Sequence, residues 1–290
     1  MSVSFDSLCL ECHLRRNLTV ARELGTEEQA TAFARELLQM YLDAPEGVSS
    51  PWFNPGAADL LQKHYGLDPD RFREEKELSN RFVLERMDAI RSRVEASEDP
   101  VLAALKYAVL GNYLDFSALQ GEVSFEVLDR LLSEASRMEL DEEVYRGLIR
   151  DLSAGKKLLY LTDNAGEIGF DRILGEQIHR AFPNLAITFC VRGAPTVNDA
   201  TRQDAELVGI PFPVIDNGNR VPGTQIDLLG DEARKALVEA DVILAKGQGN
   251  TETMYGCGLN VYYAFLVKCP RFVRLFDKPK LTPLLVKERE

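Results

Sequence analysis

The sequence has 290 residues, of which 45% are hydrophobic and 28% are charged, so it can bury one large core or two modest ones. Its formal net charge is −12, and no cluster of Lys or Arg opposes that charge. Such a charge repels nucleic-acid phosphates and anionic lipid, so we expect no nucleic-acid partner and no membrane partner.

Signals for export or membrane insertion are missing from the sequence. No apolar run approaches the ~20 residues that a transmembrane helix needs, and the first residues lack the basic region and apolar segment of a signal peptide. The five Cys are odd in number and sparse, unlike a disulfide framework. We therefore expect a soluble, cytoplasmic protein, whose oligomeric state the sequence does not indicate.

The first half of the chain, up to about residue 150, is predicted to be helical. Thr26-Glu27-Glu28-Gln29 has the pattern of a capping box, and apolar residues follow it at helical spacing. Further helical patterns, separated by Gly, Pro, Asp or Ser, cover about 55–65, 70–96, 100–114, 124–136 and 141–152.

From Gly155 onward, short apolar runs alternate with helical patterns, which is typical of a parallel sheet covered by helices. The apolar runs are 157–162, 186–191, 210–215, 241–245 and 271–276, with 281–286 as a candidate edge strand. The helical patterns are 167–182, 195–208, 228–239 and 254–268. We predict an α/β protein in which a helical N-terminal domain (1–152) packs on a Rossmann-like parallel-sheet α/β core (153–290).

Polar residues follow three of the predicted strands. The three segments are Asp163-Asn164-Ala165-Gly166-Glu167, Arg192-Gly193 with the later Asn198-Asp199, and Lys246-Gly247-Gln248-Gly249-Asn250. Because the carboxyl ends of parallel strands meet at one edge, where open α/β sheets place their sites, we expect one site there. A helix cap or an ordinary turn explains each segment taken singly about as well, but it explains all three together less well.

A metal site with oxygen ligands is predicted from the first two segments. Asp163, Asn164 and Asp199 offer carboxylate and amide oxygens, which suit Mg²⁺ or Mn²⁺ rather than zinc or haem. Asp163 and Asn164 are neighbours and reach one site only if the chain turns, which Gly166 permits. The spacing leaves open whether a carboxylate attacks covalently or activates water.

The third segment suits a phosphate. Lys246 offers a positive charge, and Gly247 and Gly249 let backbone amides approach a ligand closely. Glu167 and Asp171 are candidates for orienting a water or for holding waters on the metal. The sequence contains neither a P-loop nor the third glycine of a dinucleotide fingerprint.

Two other motifs allow more than one interpretation. Cys9-Leu10-Glu11-Cys12-His13 has the letters of a c-type haem attachment site, but without export we expect two thiols at a helix start, with a redox pair as the alternative. Asn112 and Asp115 lie in apolar surroundings, which suggests a surface that faces a cleft. A helix end at Gly111 explains these two residues nearly as well.

Taken together, the motifs closely resemble the metal-dependent damage-control phosphatases, a family long known as domain of unknown function 89. Cys9 and Cys12 resemble the Cys-x-x-Cys of its prokaryotic branch, and Thr251 departs from the family, where an aromatic residue is expected. The other motifs that carry the resemblance are Asp163–Glu167 with Asp171, Arg192–Thr201, Pro222–Thr224, Lys246–Glu252 and Gly111–Phe116.

The resemblance implies a helical domain joined to an α/β domain, with a divalent cation in the cleft between them. Asp163, Asn164 and Asp199 would bind the cation, which is Mg²⁺ or Mn²⁺, with Co²⁺ and Ni²⁺ also accepted within the family. Lys246 would hold the phosphate with the amides of the 247–249 loop. The remaining candidates for substrate contact are Asn112, Asp115, Arg192, Asn198, Gly247, Gly249 and Asn250.

We therefore expect a divalent-metal-dependent phosphatase that hydrolyses small phosphorylated metabolites, such as sugar phosphates or damaged phosphometabolites. Asp163, Glu167 and Lys246 are the predicted catalytic residues. Two alternatives stay open: an S-adenosylmethionine-dependent protein carboxyl methyltransferase, for which the glycine-rich first loop is missing, and a non-catalytic protein that binds phosphometabolites. The pocket wall opposite the metal is expected from the helical half and the 216–226 loop.

Overall fold

The computed structural model describes residues 5–115 and 124–288. The first half contains the helices α1 (Ser7–Leu24), α2 (Glu27–Leu42), α3 (Asn54–Tyr65), α4 (Arg73–Leu84), α5 (Met87–Glu95), α6 (Pro100–Gly111), α7 (Phe125–Ser133) and α8 (Glu142–Ala154). The second half contains the strands β1 (Lys157–Leu161), β2 (Ala186–Val191), β3 (Val214–Asp216), β4 (Val242–Lys246), β5 (Val261–Leu266) and β6 (Pro283–Lys287). Its helices are α9 (Glu167–Ala181), α10 (Arg202–Val208), α11 (Asp231–Glu239), α12 (Gly247–Met254) and α13 (Pro270–Phe276).

The strands form one sheet in the order β3-β2-β1-β4-β5-β6. The first five strands are parallel, and β6 pairs with β5 in the antiparallel direction at the edge. The chain runs outward from β1 through β2 to β3, then returns to the other side of β1 with β4. This reversal opens a crevice at the carboxyl ends of β1 and β4, where ligands bind in open α/β sheets. The predicted Rossmann-like α/β fold is therefore confirmed.

The helical half follows the sequence patterns closely. The predicted capping box is present, because Gln29 N donates to Thr26 Oγ1 (3.3 Å) and Thr26 N donates to Gln29 Oε1 (2.9 Å). The pattern at 70–96 is two helices rather than one, α4 and α5, which meet at Glu85 and Arg86. Among the described residues, no helix combines the length and apolar character needed to cross a membrane.

Two predictions near the C-terminus were wrong. Residues 271–276 form α13 rather than a strand, with Pro270 in the first turn and Phe272 and Phe276 packed on Phe265. The strand is instead β5, which lies inside the pattern predicted as a helix over 254–268. All six residues of β5 are buried. A strand covered on both faces lacks the alternation that distinguishes strands from buried helices.

The helices and the sheet share the largest hydrophobic core. It joins residues such as Leu105 and Tyr145 from the helical half to Tyr160, Leu244 and Tyr262 from the sheet. Helix α6 packs directly on α9, so closely that a Cβ at Gly111 would lie 2.5 Å from the Phe170 ring. The division into domains at 152/153 stays a prediction.

Candidate active site

The segments that follow β1 and β2 are joined directly. Asn164 and Asp199 form an antiparallel bridge, and Ala200 N donates to Asp163 O at 2.7 Å. The residues Asp163, Asn164 and Asp199 are 6%, 2% and 3% exposed, so all three are almost fully withdrawn from water. The structure thus brings the three predicted metal ligands together at the carboxyl edge of the sheet.

The segment after β2 differs from its prediction. The helix expected over 195–208 begins only after Thr201, because Thr201 and Asp204 form a capping box in which Thr201 N donates to Asp204 Oδ2 at 2.8 Å. Asn198 and Asp199 therefore lie in a loop, not one turn inside a helix. The loop conformation lets this segment pair with the residues after β1.

Asp163 and Asp199 are each held by a partner from elsewhere in the chain. Asp163 Oδ2 accepts hydrogen bonds from Asn112 Nδ2 (2.9 Å) and from Asn164 Nδ2 (2.8 Å). Asp199 Oδ2 accepts a hydrogen bond from Arg192 Nε at 2.6 Å. Both carboxylates are therefore oriented before any ligand binds.

Buried negative charge accumulates around these two carboxylates. Burial raises the pKa of Asp163 well above its ordinary value, and the carboxylates of Glu167 and Asp199 raise it further. Burial also raises the pKa of Asp199, against the opposing charge of Arg192. Five carboxylates pair with three cations in this region: Asp115, Asp163, Glu167, Asp171 and Asp199 with Arg192, Lys246 and Lys268.

A divalent cation fits this donor set, since it would relieve the repulsion between buried carboxylates that offer hard oxygen atoms. No group of three or more His, Cys, Asp or Glu in the described ranges is arranged to hold a metal. The predicted set is of another kind, because it combines the two carboxylates of Asp163 and Asp199 with the amide oxygen of Asn164.

Lys246 lies beneath the site rather than in it. Its Nζ donates to Glu167 Oε1 (2.6 Å), Asp171 Oδ1 (3.0 Å) and Ala108 O (2.8 Å), which uses all three hydrogens. Burial lowers the pKa of Lys246, but the two carboxylates outweigh that effect and raise it above its ordinary value. The predicted contact between Lys246 and a phosphate stays a prediction.

Glu167 and Asn112 are fully buried and support the metal ligands from below. Glu167 Oε2 accepts hydrogen bonds from Asn112 Nδ2 (2.9 Å) and Asn164 Nδ2 (2.7 Å). Asn112 Oδ1 in turn accepts a hydrogen bond from Leu266 N at 3.1 Å. Both side chains thus hold Asp163 and Asn164 in place, and the catalytic role predicted for Glu167 and the substrate contact predicted for Asn112 stay predictions.

The turn after β4 is shaped by its closeness to Asp163. Gly247 has φ +79°, and a Cβ at this position would lie 1.9 Å from Asp163 Oδ2, so only glycine fits here. Gly249 lines a cavity that opens beside Asp163. Asn250 is fully buried and donates through Nδ2 to Thr162 O at 3.0 Å, which places it in the scaffold rather than against a substrate.

Two buried polar atoms beside the metal ligands have no partner among residues 5–115 and 124–288. They are Arg192 Nη1 and Asn198 Oδ1. The other side of each group is engaged, since Arg192 Nη2 donates to Thr162 O (3.1 Å) and Asn198 Nδ2 donates to Asn164 Oδ1 (2.8 Å). Because an unsatisfied buried polar atom is costly, these two atoms indicate that a ligand or water completes the site.

A cavity of about 240 Å³ opens on the metal ligands and is hereafter called the site cavity. From the predicted site it is lined by Asp115, Asp163, Asn164, Asp199 and Gly249. The opposite wall comes from α1, from the start of α13 and from Pro222, as expected for the helical half and the 216–226 loop. The residues of this wall include Cys9, Cys12, Arg16, Cys269 and Arg271.

Lys268 was missed by the sequence reasoning. Its Nζ donates to Asp115 Oδ2 at 2.6 Å, and its charge lowers the pKa of Asp163, whose shift is otherwise upward through burial. Lys268 follows β5, the strand predicted as a helix, so this fourth strand end was not recognised. The available signal was an apolar run, Val261–Val267, that ends in a lysine shortly before Pro270. Phe116, the last residue of one family motif, lies outside the described residues.

The thiols of Cys9 and Cys12 lie near the start of α1, as expected. Burial raises the pKa of Cys9 to about 11 and that of Cys269 to about 11. Thiols with such values stay protonated near neutral pH and are poor nucleophiles. These cysteines therefore contribute surface to the cavity wall rather than reactivity.

Comparison with known proteins gives a consistent family assignment. The sequence model of the damage-control phosphatase ARMT1-like domain matches residues 6–282. The chain is 36% identical over 216 residues to a damage-control phosphatase of Archaeoglobus fulgidus, covering 71% of each chain. It is 34% identical over 229 residues to a damage-control phosphatase of Pyrococcus horikoshii, covering 76% of this chain and 75% of the relative.

A solved structure agrees with the sequence comparisons. The crystal structure of a DUF89 family protein from Pyrococcus horikoshii matches this fold with a TM-score of 0.83, at 25% sequence identity and over 99% of each chain. The resemblance drawn from the motifs is thereby confirmed, and the chain belongs to the damage-control phosphatase family, formerly domain of unknown function 89.

Proposed function

We propose that this protein is a divalent-metal-dependent phosphatase that hydrolyses small phosphorylated metabolites, including damaged ones. The observation that carries the proposal is the placement of Asp163, Asn164 and Asp199 side by side at the floor of a cavity of about 240 Å³. A cavity of this size suits a small metabolite. The relatives named damage-control phosphatases support the reaction class.

Asp163, Asn164 and Asp199 would hold the divalent ion. When bound, such an ion polarises phosphoryl oxygens and lowers the pKa of a water. The chain contributes orientation: Asn112 fixes Asp163, and Arg192 fixes Asp199, through hydrogen bonds of 2.9 and 2.6 Å. Such supporting contacts keep the ligand oxygens in position and limit the reorganisation needed during turnover.

We assign the charge that faces the phosphate to Lys268 rather than to Lys246. Lys246 Nζ already donates three hydrogen bonds, whereas Lys268 Nζ donates one, to Asp115, within the described residues. Lys268 therefore has two hydrogens left for a phosphate that enters beside Asp115. Arg192 Nη1, which lacks a partner in the described part of the chain, is a second donor for the same group.

The supporting network explains why Glu167 and Lys246 matter without touching the substrate. Glu167 Oε2 accepts from Asn164 Nδ2 at 2.7 Å, and its Oε1 accepts from Lys246 Nζ at 2.6 Å. In the proposed mechanism, Lys246 holds the Glu167 carboxylate in place, and Glu167 fixes the orientation of the Asn164 amide. We therefore regard both as positioning residues.

Metal-stripped protein would be assayed for p-nitrophenyl phosphate hydrolysis with Mg²⁺, Mn²⁺, Co²⁺ or Ni²⁺ added back. At least one ion should restore turnover, and Asp163→Ala should abolish it with the fold retained in circular dichroism. Asp88→Ala is the control, because the Asp88 side chain is fully exposed on α5. Full activity of Asp163→Ala would contradict the site assignment.

A screen of sugar phosphates and damaged phosphometabolites with the active metal would then identify the substrate. If phosphorylated ligands stabilise the protein against heat but none is hydrolysed with any of the four metals, the chain is a binding protein and not a phosphatase.

A further inference from the structure

A second, smaller cavity adjoins the site cavity. It has a volume of about 40 Å³ and shares Arg16, Asn54 and Val197 with the larger one. Two further arginines, Arg71 and Arg220, line it from the start of α4 and from the 216–226 loop. We call this second cavity the arginine pocket.

Arg71 is the least compensated charge of the arginine pocket. Its half-buried guanidinium lies 4.9 Å from the centre of the Phe72 ring and makes no hydrogen bond or ion pair within the described chain. Burial lowers the pKa of Arg71, and the positive charge of Arg16 lowers it further, with Glu75 opposing. Both arginines line the same cavity, where like charges raise each other's energy and a bound anion would lower it.

The other charges that line the arginine pocket do not pair with Arg71. Arg220 is engaged by Asp59. Asp68, the one carboxylate among the described lining residues, lies 3.8 Å from the exposed Arg73. The remaining polar lining comes from neutral groups, Asn17, Asn54 and Thr196.

One loop connects the arginine pocket to the metal ligands. Pro195 and Thr196 line the arginine pocket, Asp199 lines the site cavity, and Val197 lines both. Val197 has φ +37°, a conformation that β-branched residues rarely adopt. Such strain persists where the surroundings impose it, often at ligand sites. The two cavities therefore adjoin at the loop that carries Asp199.

We propose that the arginine pocket binds a second anionic group of the substrate, so that preferred substrates are phosphomonoesters with a carboxylate or another phosphate at the far end. This inference rests on the proposed phosphatase function. It also explains how a chain of net charge −12 attracts a multiply charged anion, since Arg16 and Arg71 supply local positive charge where the anion enters.

The test compares kcat/KM for substrate pairs that differ in the second anion. Three pairs of increasing length are 3-phosphoglycerate with glycerol 3-phosphate, 4-phosphoerythronate with erythritol 4-phosphate, and 6-phosphogluconate with glucitol 6-phosphate. Fructose 1,6-bisphosphate with fructose 1-phosphate tests a phosphate in place of a carboxylate. We expect the doubly anionic member to be favoured about 10-fold or more in at least one pair, as charge-assisted hydrogen bonds warrant.

Arg71→Gln should collapse that preference, mainly through KM. Arg35→Gln is the control, since it removes the same charge from an exposed position on α2 that lines neither cavity, and it should keep the preference and the activity. Arg71→Lys keeps the charge but loses the planar pair of donors, so it should retain part of the preference. If Arg71→Gln does not fold, Arg71→Lys and Arg16→Gln provide the comparison.

Equal kcat/KM for both members of every pair, or an unchanged preference in Arg71→Gln, would overturn the inference while leaving a phosphatase in place. Absence of turnover on every substrate would overturn the proposed function instead. The arginine pocket is then judged by calorimetry with the same pairs and Mn²⁺. Weaker binding of the doubly anionic member to Arg71→Gln supports the pocket, and equal binding to both proteins refutes it.

Discussion

The floor and the wall of the site cavity are built differently. The floor consists of strand-end residues such as Asp163, Asn164 and Asp199, each nearly fully buried and hydrogen-bonded to a neighbour from another segment. The wall consists of helical residues such as Cys12 and Arg16, which are half-buried and lie on α1. The comparison suggests that the floor determines the chemistry and the wall determines which substrate fits.

The largest expected effect is the loss of kcat when a residue of the floor is changed. Asp199→Asn removes one negative charge from the proposed metal site and leaves Arg192 Nε without the charged acceptor that lies at 2.6 Å, so kcat on p-nitrophenyl phosphate should fall by about 10³-fold or more. Arg271→Gln changes the wall and should mainly raise KM, because Arg271 lines the cavity wall, where its Nε lies 3.4 Å from Asp6 Oδ2. Steady-state kinetics on both variants tests this difference. An equally large loss of kcat in Arg271→Gln would contradict the separate roles of floor and wall.

The second largest effect is expected on stability, when the buried cation Lys246 beneath the floor is removed. Lys246→Met leaves Glu167 and Asp171 buried without their cation, which should cost about 3 kcal/mol of unfolding free energy. Lys63→Met is the control, because Lys63 pairs with Glu36 on the exposed surface and its loss should change nothing measurable. Urea denaturation measures both, and equal midpoints would show that the buried pair has no supporting role.

Gly247→Ala tests how closely the backbone approaches the floor. The new Cβ would lie 1.9 Å from Asp163 Oδ2 and would force that carboxylate to move. We therefore expect kcat to be about 100-fold lower and the free energy of unfolding to fall by about 2 kcal/mol. Gly47→Ala is a matched control, since Gly47 has the same φ of +79° and no neighbour within 4 Å of the Cβ. If both variants kept full activity, steric contact with Asp163 would not be the reason for glycine.

The smallest expected effect is the contribution of His13, a residue of the cavity wall, to the pH dependence of stability. Burial, helped by the charge of Arg16, lowers the pKa of His13 in α1 to about 3, below its ordinary 6.5. The unfolded chain therefore binds a proton below pH 6.5 that the folded chain does not. Stability should fall with decreasing pH, by at most about 1.4 kcal/mol per unit from this residue.

His13→Gln should reduce that slope between pH 6.5 and 5, because a neutral side chain binds no proton in either state. Urea denaturation of both proteins across this range gives the comparison. Identical slopes would show that His13 does not titrate on unfolding.

Local patterns predicted most of the scaffold. The capping box at Thr26, the apolar strands and the polar segments after β1, β2 and β4 are signals carried by adjacent residues, so they were readable without the fold. The correct assignment of β5 as a strand and α13 as a helix could not be read in this way. A strand that is buried on both faces lacks the alternating pattern that would identify it. Lys268 was not identified as a site residue because it follows that strand.

The sequence by itself determined the α/β architecture, the family and the edge of the sheet at which Asp163, Asn164 and Asp199 meet. Only the tertiary structure decided which polar groups lie beneath that edge and which face the cavity. Lys246 ends β4 and Lys268 follows β5, but Lys246 Nζ donates to three acceptors and Lys268 Nζ to one among the described residues. That distinction depends on contacts between residues far apart in the chain, such as Lys246 with Ala108, which no local pattern encodes.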